Sequence, residues 1–198
     1  MASEYFKHES AYVDEPSSVG NGTKIWHFSH IQQGAVIGSY CSLGQNVNVG
    51  CNVIIGNNVK IQNNVSVYEG VQLEDSVFCG PSVVFTNIKD PRSQFPQRGK
   101  YISTLVKEGA TLGANSTIVC GITIGRFAFI GAGAVVTKSV SDFALIFGNP
   151  AKHAGWVSRA GKKLDFDLNS SVFCETSGKY YSLVNNSVVE LDTEPILS

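Results

Sequence analysis

Residues 35–67 read AVIGSYCSLGQNVNVGCNVIIGNNVKIQNNVSV, and an aliphatic residue recurs in them at every sixth position. The same beat begins at Val13 and reaches Phe85, stops for about twenty residues, and then runs from Val106 to Val136. All but two of these positions hold Val, Ile or Leu. A second column, four residues after the first, holds mostly small or aliphatic side chains. The chain therefore offers two apolar columns to one interior.

This period excludes a helix, because six is not a multiple of 3.6 and each of the many Gly residues would cost up to about 1 kcal/mol inside one. Short strands separated by tight turns accommodate the pattern, with Gly and Asn at turn positions of positive φ. Such a repeat is typical of hexapeptide β-solenoids, in which three strands close one coil of 18 residues. The sequence predicts an all-β solenoid of parallel strands, with a little over four coils before the break and two after it.

The pattern divides the chain into segments. A lead-in, 1–12, precedes the repeats. We predict a solenoid domain, a segment that ends the solenoid and contains a short helix over 153–163, and a small antiparallel β appendage with turns near Asn169-Ser170, Ser177-Gly178 and Asn185-Asn186. The predicted boundaries are 1–141 with an inserted loop at 86–105, then 142–163, then 164–198.

Composition narrows the function classes. The 198 residues are 43% hydrophobic and carry a formal net charge of −1, which fits one main domain and argues against a nucleic-acid partner. No run of 18 apolar residues and no apolar signal core occur, so we expect a cytoplasmic protein with no membrane partner. The five cysteines are read as reduced structural residues. Cys174 lacks companions for a metal, and no metal site is predicted.

The repeats and the closing Gly148-Asn149-Pro150-Ala151-Lys152 resemble the left-handed parallel β-helix acyltransferases over residues 13–152. Longer strings narrow this resemblance to bacterial N-acetyltransferases of nucleotide-linked 3-amino sugars; among them are IWHFSH at 25–30, KIQNNVSVY at 60–68 and FTN at 85–87. The resemblance implies a left-handed coil, acetyl-CoA as co-substrate, and a homotrimer whose active sites lie between subunits.

The resemblance also suggests a substrate. UDP-2-acetamido-3-amino-2,3-dideoxy-D-glucuronate, a precursor of O-antigen and surface polysaccharide, is the first expectation. Ile102 follows Tyr101 where relatives often have a basic residue, so a neutral dTDP- or UDP-3-amino-6-deoxyhexose stays open. A γ-type carbonic anhydrase would need three His ligands, and only two His lie within the repeats. A non-catalytic solenoid scaffold is the other remote alternative.

The 18-residue register indicates where the substrate binds. Gln45 and Asn63 are 18 residues apart, and so are Asn46 and Asn64, which stacks amides along one corner of the prism. Asn at such corners also serves simply to adopt left-handed φ, whereas Gln is poor at that task. We therefore expect a polar surface for sugar hydroxyls or a base, formed by Gln45, Asn46, Gln62, Asn63, Asn64 and the neighbouring Tyr68.

The inserted loop is the second functional feature, because a long loop without a strand pattern is often functional. It opens with Thr86 and Asn87, and both are predicted substrate contacts. Arg92 suits a diphosphate or a carboxylate, with a solvated surface Arg as the alternative. The resemblance assigns Asn87 the role of holding the reacting amine and the CoA sulfur that of accepting the proton.

The second run is predicted to bind acetyl-CoA, which makes 142–163 the CoA-side segment. Backbone amides around Ala114, Gly131 and Ala132 would bind the pantetheine arm. Lys138 and Lys152, with Pro150 of the closing motif, would meet the phosphates, although a solvated rim explains the lysines equally well. No His occurs between residues 31 and 152. An amine flanked by electron-withdrawing groups has a pKa of about 7.7 and needs no base to be partly free at neutral pH.

Overall fold

The computed structural model describes residues 4–166 and 171–194, and the regular elements in these ranges are all β-strands. None of these residues forms a helix long and apolar enough to cross a membrane. Most strands are two residues long, as the six-residue period requires. In chain order they are β1 (Phe6–Lys7), β2 (Tyr12–Val13), β3 (Ser18–Val19), β4 (Lys24–Ile25), β5 (His30–Ile31), β6 (Val36–Ile37), β7 (Ser42–Leu43), β8 (Asn48–Val49), β9 (Ile54–Ile55), β10 (Lys60–Ile61), β11 (Ser66–Val67), β12 (Val71–Leu73), β13 (Phe78–Cys79), β14 (Val84–Phe85), β15 (Thr104–Val106), β16 (Thr111–Leu112), β17 (Thr117–Ile118), β18 (Thr123–Ile124), β19 (Phe129–Ile130), β20 (Val135–Val136), β21 (Ala144–Phe147), β22 (Lys152–Val157), β23 (Lys163–Leu164), β24 (Ser171–Cys174), β25 (Lys179–Val184) and β26 (Ser187–Leu191).

Every third strand joins the same parallel sheet, so the chain winds into a three-sided prism. Sheet A contains β1, β4, β7, β10, β13, β16, β19 and β21; sheet B contains β2, β5, β8, β11, β14, β17 and β20; sheet C contains β3, β6, β9, β12, β15 and β18. This is the parallel β-helix that the period predicts. Its three sides confirm the 18-residue coil.

The core consists of ladders of like residues. In sheet A, Ile25, Leu43 and Ile61 pair in register, and Cys79 and Leu112 continue the column; all five are fully buried. Burial raises the pKa of the Cys79 thiol to about 12, so this cysteine serves as a small hydrophobe. All five cysteines are free thiols, in agreement with the sequence-based interpretation.

The solenoid is longer than predicted, with about eight turns where the period suggested six. The difference lies at its two ends. The segment read as a lead-in contains β1 and β2, which pair with the second coil, and β21 adds a rung to sheet A after the last counted repeat. Both ends carry apolar residues that break the strict six-residue spacing, and the count from the sequence missed them for that reason.

The turns form three corners that run the length of the prism. The A–B corner contains 8–11, 26–29, 44–47, 62–65, 80–83, 113–116 and 131–134; the B–C corner contains 14–17, 32–35, 50–53, 68–70, 86–103, 119–122 and 137–139; the C–A corner contains 20–23, 38–41, 56–59, 74–77, 107–110 and 125–128. Asn46, Asn58, Asn64 and Asn115 have positive φ there, as expected for corner Asn.

The predicted insertion is confirmed on the B–C corner. Strand order stops at Phe85 and resumes at Thr104, within two residues of the predicted limits. The N–H of Ile102 donates to the carbonyl of Asn87 at 2.9 Å. The loop therefore starts and ends at one point on the prism, as Ω-loops do.

The short helix predicted for 153–163 is wrong. Those residues form β22, a tight turn and β23, which extend sheet A in antiparallel order. Trp156 pairs with Ala144, and both are buried. The last parallel strand leaves unpaired backbone groups at an open sheet edge, and a returning strand satisfies them where a helix could not. Gly155 also has φ +135°, which a helix does not permit.

The appendage is the predicted antiparallel meander, formed by β24, β25 and β26. The turns at 175–178 and 185–186 are confirmed, while Asn169-Ser170 lies outside the described residues. The fully buried Tyr181 packs its ring edge-on against Phe143 at 5.9 Å, and its hydroxyl accepts the N–H of Arg159. Burial of the Cys174 thiol raises its pKa, but hydrogen bonds from Ser158 and Ser177 outweigh burial and hold it below its usual value. The meander thereby covers the C-terminal end of the solenoid.

Candidate functional site

The predicted amide surface lies on the A–B corner. Asn46 and Asn64 occupy equivalent positions with φ of 59° and 63°, and the Nδ2 of Asn46 donates to the Oδ1 of Asn64 at 3.1 Å. The backbone N–H of Gln45 donates to the Oδ1 of Asn63 at 2.9 Å. These asparagines bond within the corner itself, as expected for Asn in turns.

The two glutamines behave differently from the asparagines. Within the described residues, the side-chain amides of Gln45 and Gln62 have no hydrogen-bond partner, and both line one pocket with Asn63. Gln45 is exposed and Gln62 is half-buried. The structure thus separates a structural pair, Asn46 and Asn64, from free amides that can bind a ligand.

Tyr68 does not lie beside the amide surface, so its expected position is wrong. It directly follows β11 of sheet B and begins the next turn, on the B–C corner. Thr86 and Asn87 follow β14 in the same sheet and stack above Tyr68 and Glu69. The predicted substrate residues therefore occupy two different corners, with sheet B between them.

Asn87 is held in one orientation. Its Nδ2 donates to the main-chain carbonyl of Glu69 at 3.2 Å, and its own carbonyl accepts the N–H of Ile102. The amide Oδ1 is thereby turned away from that carbonyl, and among the described residues it has no donor. Because the donor end is anchored, the side chain offers an acceptor, which suits a primary amine.

Two neighbours of Asn87 were not among the predicted site residues. The carboxylate of Glu69 accepts from the Nδ2 of Asn52 at 3.2 Å, and the N–H of Cys120 donates to the hydroxyl of Thr86 at 2.9 Å. Glu69 precedes Asn87 by 18 residues, so the register of the coil was a signal that could have identified it. The Thr86 hydroxyl joins the inserted loop to the coil above.

The inserted loop encloses a pocket of about 360 Å³. Arg92 and Arg98 line it together with Phe95 and Tyr101. The loop contains four basic residues and one acidic residue in a chain of net charge −1. Arg92 makes only a local hydrogen bond to the carbonyl of Pro91, at 3.0 Å. The pocket is therefore positively charged and suited to an anion.

The residues predicted to bind pantetheine lie higher on the A–B corner. Ala114 and Ala132 occupy successive coils, and their N–H groups donate to no acceptor among the described residues. The N–H of Gly131, in contrast, donates to the carbonyl of Ile146 at 2.8 Å. A Cβ on Gly131 would lie 2.0 Å from the ring of Phe147. Gly131 therefore permits close packing, and the free amides are those of the two alanines.

The remaining predicted cofactor residues separate into two places. The exposed Lys138 lies on the B–C corner, two coils above Asn87, or about 10 Å at ordinary strand spacing. Pro150 lies in the turn between β21 and β22, where the N–H of Ala151 donates to the carbonyl of Val135 at 2.9 Å. Lys152 is exposed at the start of β22. No three His, Cys, Asp or Glu side chains within residues 4–166 and 171–194 are grouped to hold a metal ion.

The prism and its corner amides define a transferase of the hexapeptide class. Residues 16–51 and 103–138 match the bacterial transferase hexapeptide family, and residues 34–69 match the hexapeptide repeat of succinyl-transferase. The chain is 44% identical over 186 residues to the dTDP-3-amino-3,6-dideoxy-alpha-D-galactopyranose 3-N-acetyltransferase of Aneurinibacillus thermoaerophilus, covering 94% of this chain and 95% of that protein. The chain therefore belongs to the hexapeptide-repeat transferases, as one of their N-acetyltransferases.

More distant relatives share the repeats. The bifunctional protein GlmU of a Synechococcus strain, CC9605, is 30% identical over 149 residues, which are 74% of this chain and 31% of that protein. Among solved structures, the acetyltransferase domain of PglB from Neisseria gonorrhoeae aligns with a TM-score of 0.49 at 20% identity, over 74% of this chain and 56% of that one. Membership in this family decides against the carbonic anhydrase and the non-catalytic scaffold.

Proposed function

We propose that this enzyme transfers the acetyl group of acetyl-CoA to the 3-amino group of a dTDP-linked 3-amino-3,6-dideoxyhexose, for a surface polysaccharide. The observation that carries the proposal is the 44% identity to an enzyme named for that substrate class, over nearly the full length of both chains. Ile102, beside the loop, supplies no positive charge for a sugar carboxylate. The UDP-linked glucuronate expected first from the sequence therefore becomes the second candidate.

Asn87 would position the reacting amine. Its Oδ1 accepts a hydrogen bond from the amine while its Nδ2 stays on the carbonyl of Glu69. The nitrogen lone pair attacks the thioester carbonyl, a C–N bond forms, and the carbonyl oxygen becomes a transient oxyanion. Collapse of this intermediate breaks the C–S bond, and the departing CoA sulfur takes the proton from nitrogen. A fixed acceptor contributes by orientation, since it keeps the lone pair directed at the thioester.

The amine would enter this reaction largely deprotonated. Its pKa, about 7.7 by analogy with an α-amino group, leaves a large free fraction at neutral pH. The sequence holds no His between residues 31 and 152, so a His base beside Asn87 is not part of the proposal. We expect kcat/KM to rise with pH through the pKa of the substrate amine.

Acetyl-CoA would lie along the upper A–B corner. The unpaired N–H groups of Ala114 and Ala132 are spaced one coil apart and can bind pantetheine carbonyls. Lys152, after the turn at Pro150, and Lys138 would approach the phosphates. The surface is continuous with the amides of Gln45 and Gln62 below it, because all of them lie on one corner.

A trimer would complete the site. Asn87 and the basic loop lie on the B–C corner, while the free amides and the proposed pantetheine surface lie on the A–B corner. The six-residue side between adjacent corners spans up to about 20 Å. We infer that the A–B corner of one subunit faces the B–C corner of the next, so that each cleft holds one set of groups from each chain.

The test is a CoA-thiol release assay with three amines: a dTDP-3-amino-3,6-dideoxyhexose, its UDP counterpart and the UDP-linked 3-amino-glucuronate. We expect the highest kcat/KM with the first. In Asn87→Ala, kcat should fall by about tenfold or more, because one oriented hydrogen bond to the reacting atom is lost. Asn57→Ala, a corner asparagine on the opposite C–A corner, is the matched control and should keep wild-type kinetics.

Two outcomes contradict the proposal. A higher kcat/KM for the glucuronate would reverse the choice of substrate. Wild-type kcat in Asn87→Ala would remove Asn87 from the reaction, whichever sugar is used.

A further inference from the structure

A second pocket, of about 300 Å³, opens on the A–B corner near the N-terminal end. Its walls include Trp26, His27, Gly44, Gln45, Gln62 and Asn63, and it contains no Lys, Arg, Asp or Glu side chain. The positively charged loop pocket on the B–C corner has the opposite character. An uncharged pocket with aromatic and amide walls suits a neutral, planar, hydrogen-bonding group.

The aromatic wall is held in place from behind. The rings of Trp26 and His27 are parallel within 6°, and His27 stacks on His8 with ring centroids 3.5 Å apart. The N–H of Ser10 donates to the Nδ1 of His8 at 3.2 Å, which fixes that ring. Trp26 nevertheless remains 38% exposed. The wall is therefore rigid and open, as a stacking surface must be.

Gly44 leaves a gap in front of this wall. Trp26, Gly44 and Gln62 occupy equivalent positions on three successive coils. A Cβ on Gly44 would lie 2.5 Å from the Oδ1 of Asn63 and 2.9 Å from its backbone nitrogen, so this position excludes a side chain. The resulting slot spans two strand spacings, about 9.6 Å, which leaves room for a ring on Trp26.

The amide wall can read the edge of such a ring. Within the described residues, the side-chain amides of Gln45 and Gln62 have no partner, while the Oδ1 of Asn63 is occupied by the Gln45 N–H, which leaves its NH₂ group as a donor. A carboxamide presents a donor and an acceptor in one plane. The N3–H and C4=O of a pyrimidine-dione present the complementary pair.

We propose that this pocket binds the pyrimidine ring of the nucleotide substrate, stacked on Trp26 and hydrogen-bonded to Gln45 or Gln62. The inference rests on the proposed function, which supplies a thymine or uracil nucleotide. The uncharged slot would take the base, and the basic loop of the neighbouring subunit would take the diphosphate.

Fluorescence can test the stacking directly, because Trp26 and Trp156 are the two tryptophans of the chain. In Trp156→Phe, the remaining Trp26 should be quenched by dTDP and by UDP, and pyrophosphate should leave its emission unchanged. Trp156 is 6% exposed and lies in β22, away from the pocket. Emission that does not respond to dTDP at saturating concentration overturns the proposal.

Calorimetry of dTDP binding tests the residues. Trp26→Leu and the near-isosteric Gln62→Glu should each weaken binding by about tenfold or more, since stacking on an aromatic ring contributes strongly to base binding. Tyr40→Leu removes an equally accessible aromatic ring from the C–A corner and should leave affinity unchanged. Wild-type affinity in a folded Gln62→Glu, together with wild-type affinity in Trp26→Leu, contradicts the assignment.

The two proposals fail in different ways. If dTDP quenches Trp26 but no 3-amino nucleotide sugar is acetylated, the base site stands and the proposed reaction is wrong. If acetyl transfer occurs while Trp26→Leu keeps the wild-type KM, the reaction stands and the base site is wrong.

Discussion

Ser116 is an exception to the hydrogen bonding of buried polar side chains in the prism. Its hydroxyl is fully buried and, within residues 4–166 and 171–194, is the side-chain oxygen or nitrogen left without a partner. Ser29, in the same column, donates to the carbonyl of Gly44 at 2.9 Å and accepts the N–H of Val47. Ser116 therefore carries a desolvation cost that Ser29 does not.

We expect Ser116→Ala to stabilise the protein by about 1 kcal/mol, because the mutation removes an unsatisfied buried hydroxyl. Ser29→Ala is the matched control and should destabilise by about 1–3 kcal/mol, since it leaves the N–H of Val47 without its acceptor. Denaturant unfolding of both variants measures the difference. A loss of stability in Ser116→Ala would mean that the hydroxyl has a partner, such as a buried water.

At this scale the sequence predicts burial better than contacts. Every column position from Val19 to Val136 is buried, because a six-residue period leaves only one inward direction. The partner of each corner asparagine depends on its side-chain rotamer, so the bond between Asn46 and Asn64 could not be predicted. The corner of Tyr68 was predictable, since every third column belongs to one sheet.

The inserted loop is the element on which the diphosphate proposal depends. Arg92 and Arg98 line one pocket, and neither forms an ion pair among the described residues. Guanidinium groups held this way bind a substrate anion equally in the ground state and the transition state. Such uniform binding affects KM more than kcat.

We predict that Arg92→Gln and Arg98→Gln each raise KM for the nucleotide sugar about tenfold, with kcat changed less, because each removes a charge-assisted hydrogen bond. Added salt should raise KM in the wild type and have a smaller effect in the double variant. Lys60→Gln, an exposed charge on sheet A, serves as the control. Steady-state kinetics at two ionic strengths tests this, and unchanged KM in both single variants rules out a diphosphate role for the loop.

Elements outside the repeat were harder to predict. The insertion was located because it interrupts a strict period, whereas residues 153–163 have no period and were read as a helix. Their strand conformation is imposed by the open edge of β21, a tertiary contact that local sequence does not encode. The meander was predictable from alternating residues and turn signals, and its packing by Tyr181 against Phe143 was not.

The whole molecule raises a question of geometry, because one chain does not bring its own functional corners together. The A–B corner holds Gln45, Gln62 and the free amides of Ala114 and Ala132, and the B–C corner holds Asn87 and the loop. The repeat predicts this prism well, but it contains no information on how copies associate. Partner contacts depend on outward residues, which the period leaves unconstrained.

Mixed subunits test the shared site. Ala132→Trp places a bulky ring at an exposed position of the A–B corner and should block acetyl-CoA, while Asn87→Ala inactivates the B–C corner. Each variant alone should be nearly inactive. If the two are co-expressed equally in a cyclic trimer, a cleft is intact when one subunit has Ala132 and its neighbour has Asn87. Random assortment gives each condition one half, so about one quarter of wild-type activity should return.

The same mixture separates the two possible arrangements. A site built within one chain needs both native residues in that chain, and no subunit in the mixture has them, so activity would stay at the level of the parents. Differently tagged subunits, purified through both tags and assayed for CoA-thiol release, ensure that mixed assemblies are measured, and native mass spectrometry gives their stoichiometry. Recovery of activity in mixed trimers therefore requires that the A–B corner of one subunit and the B–C corner of another form one cleft.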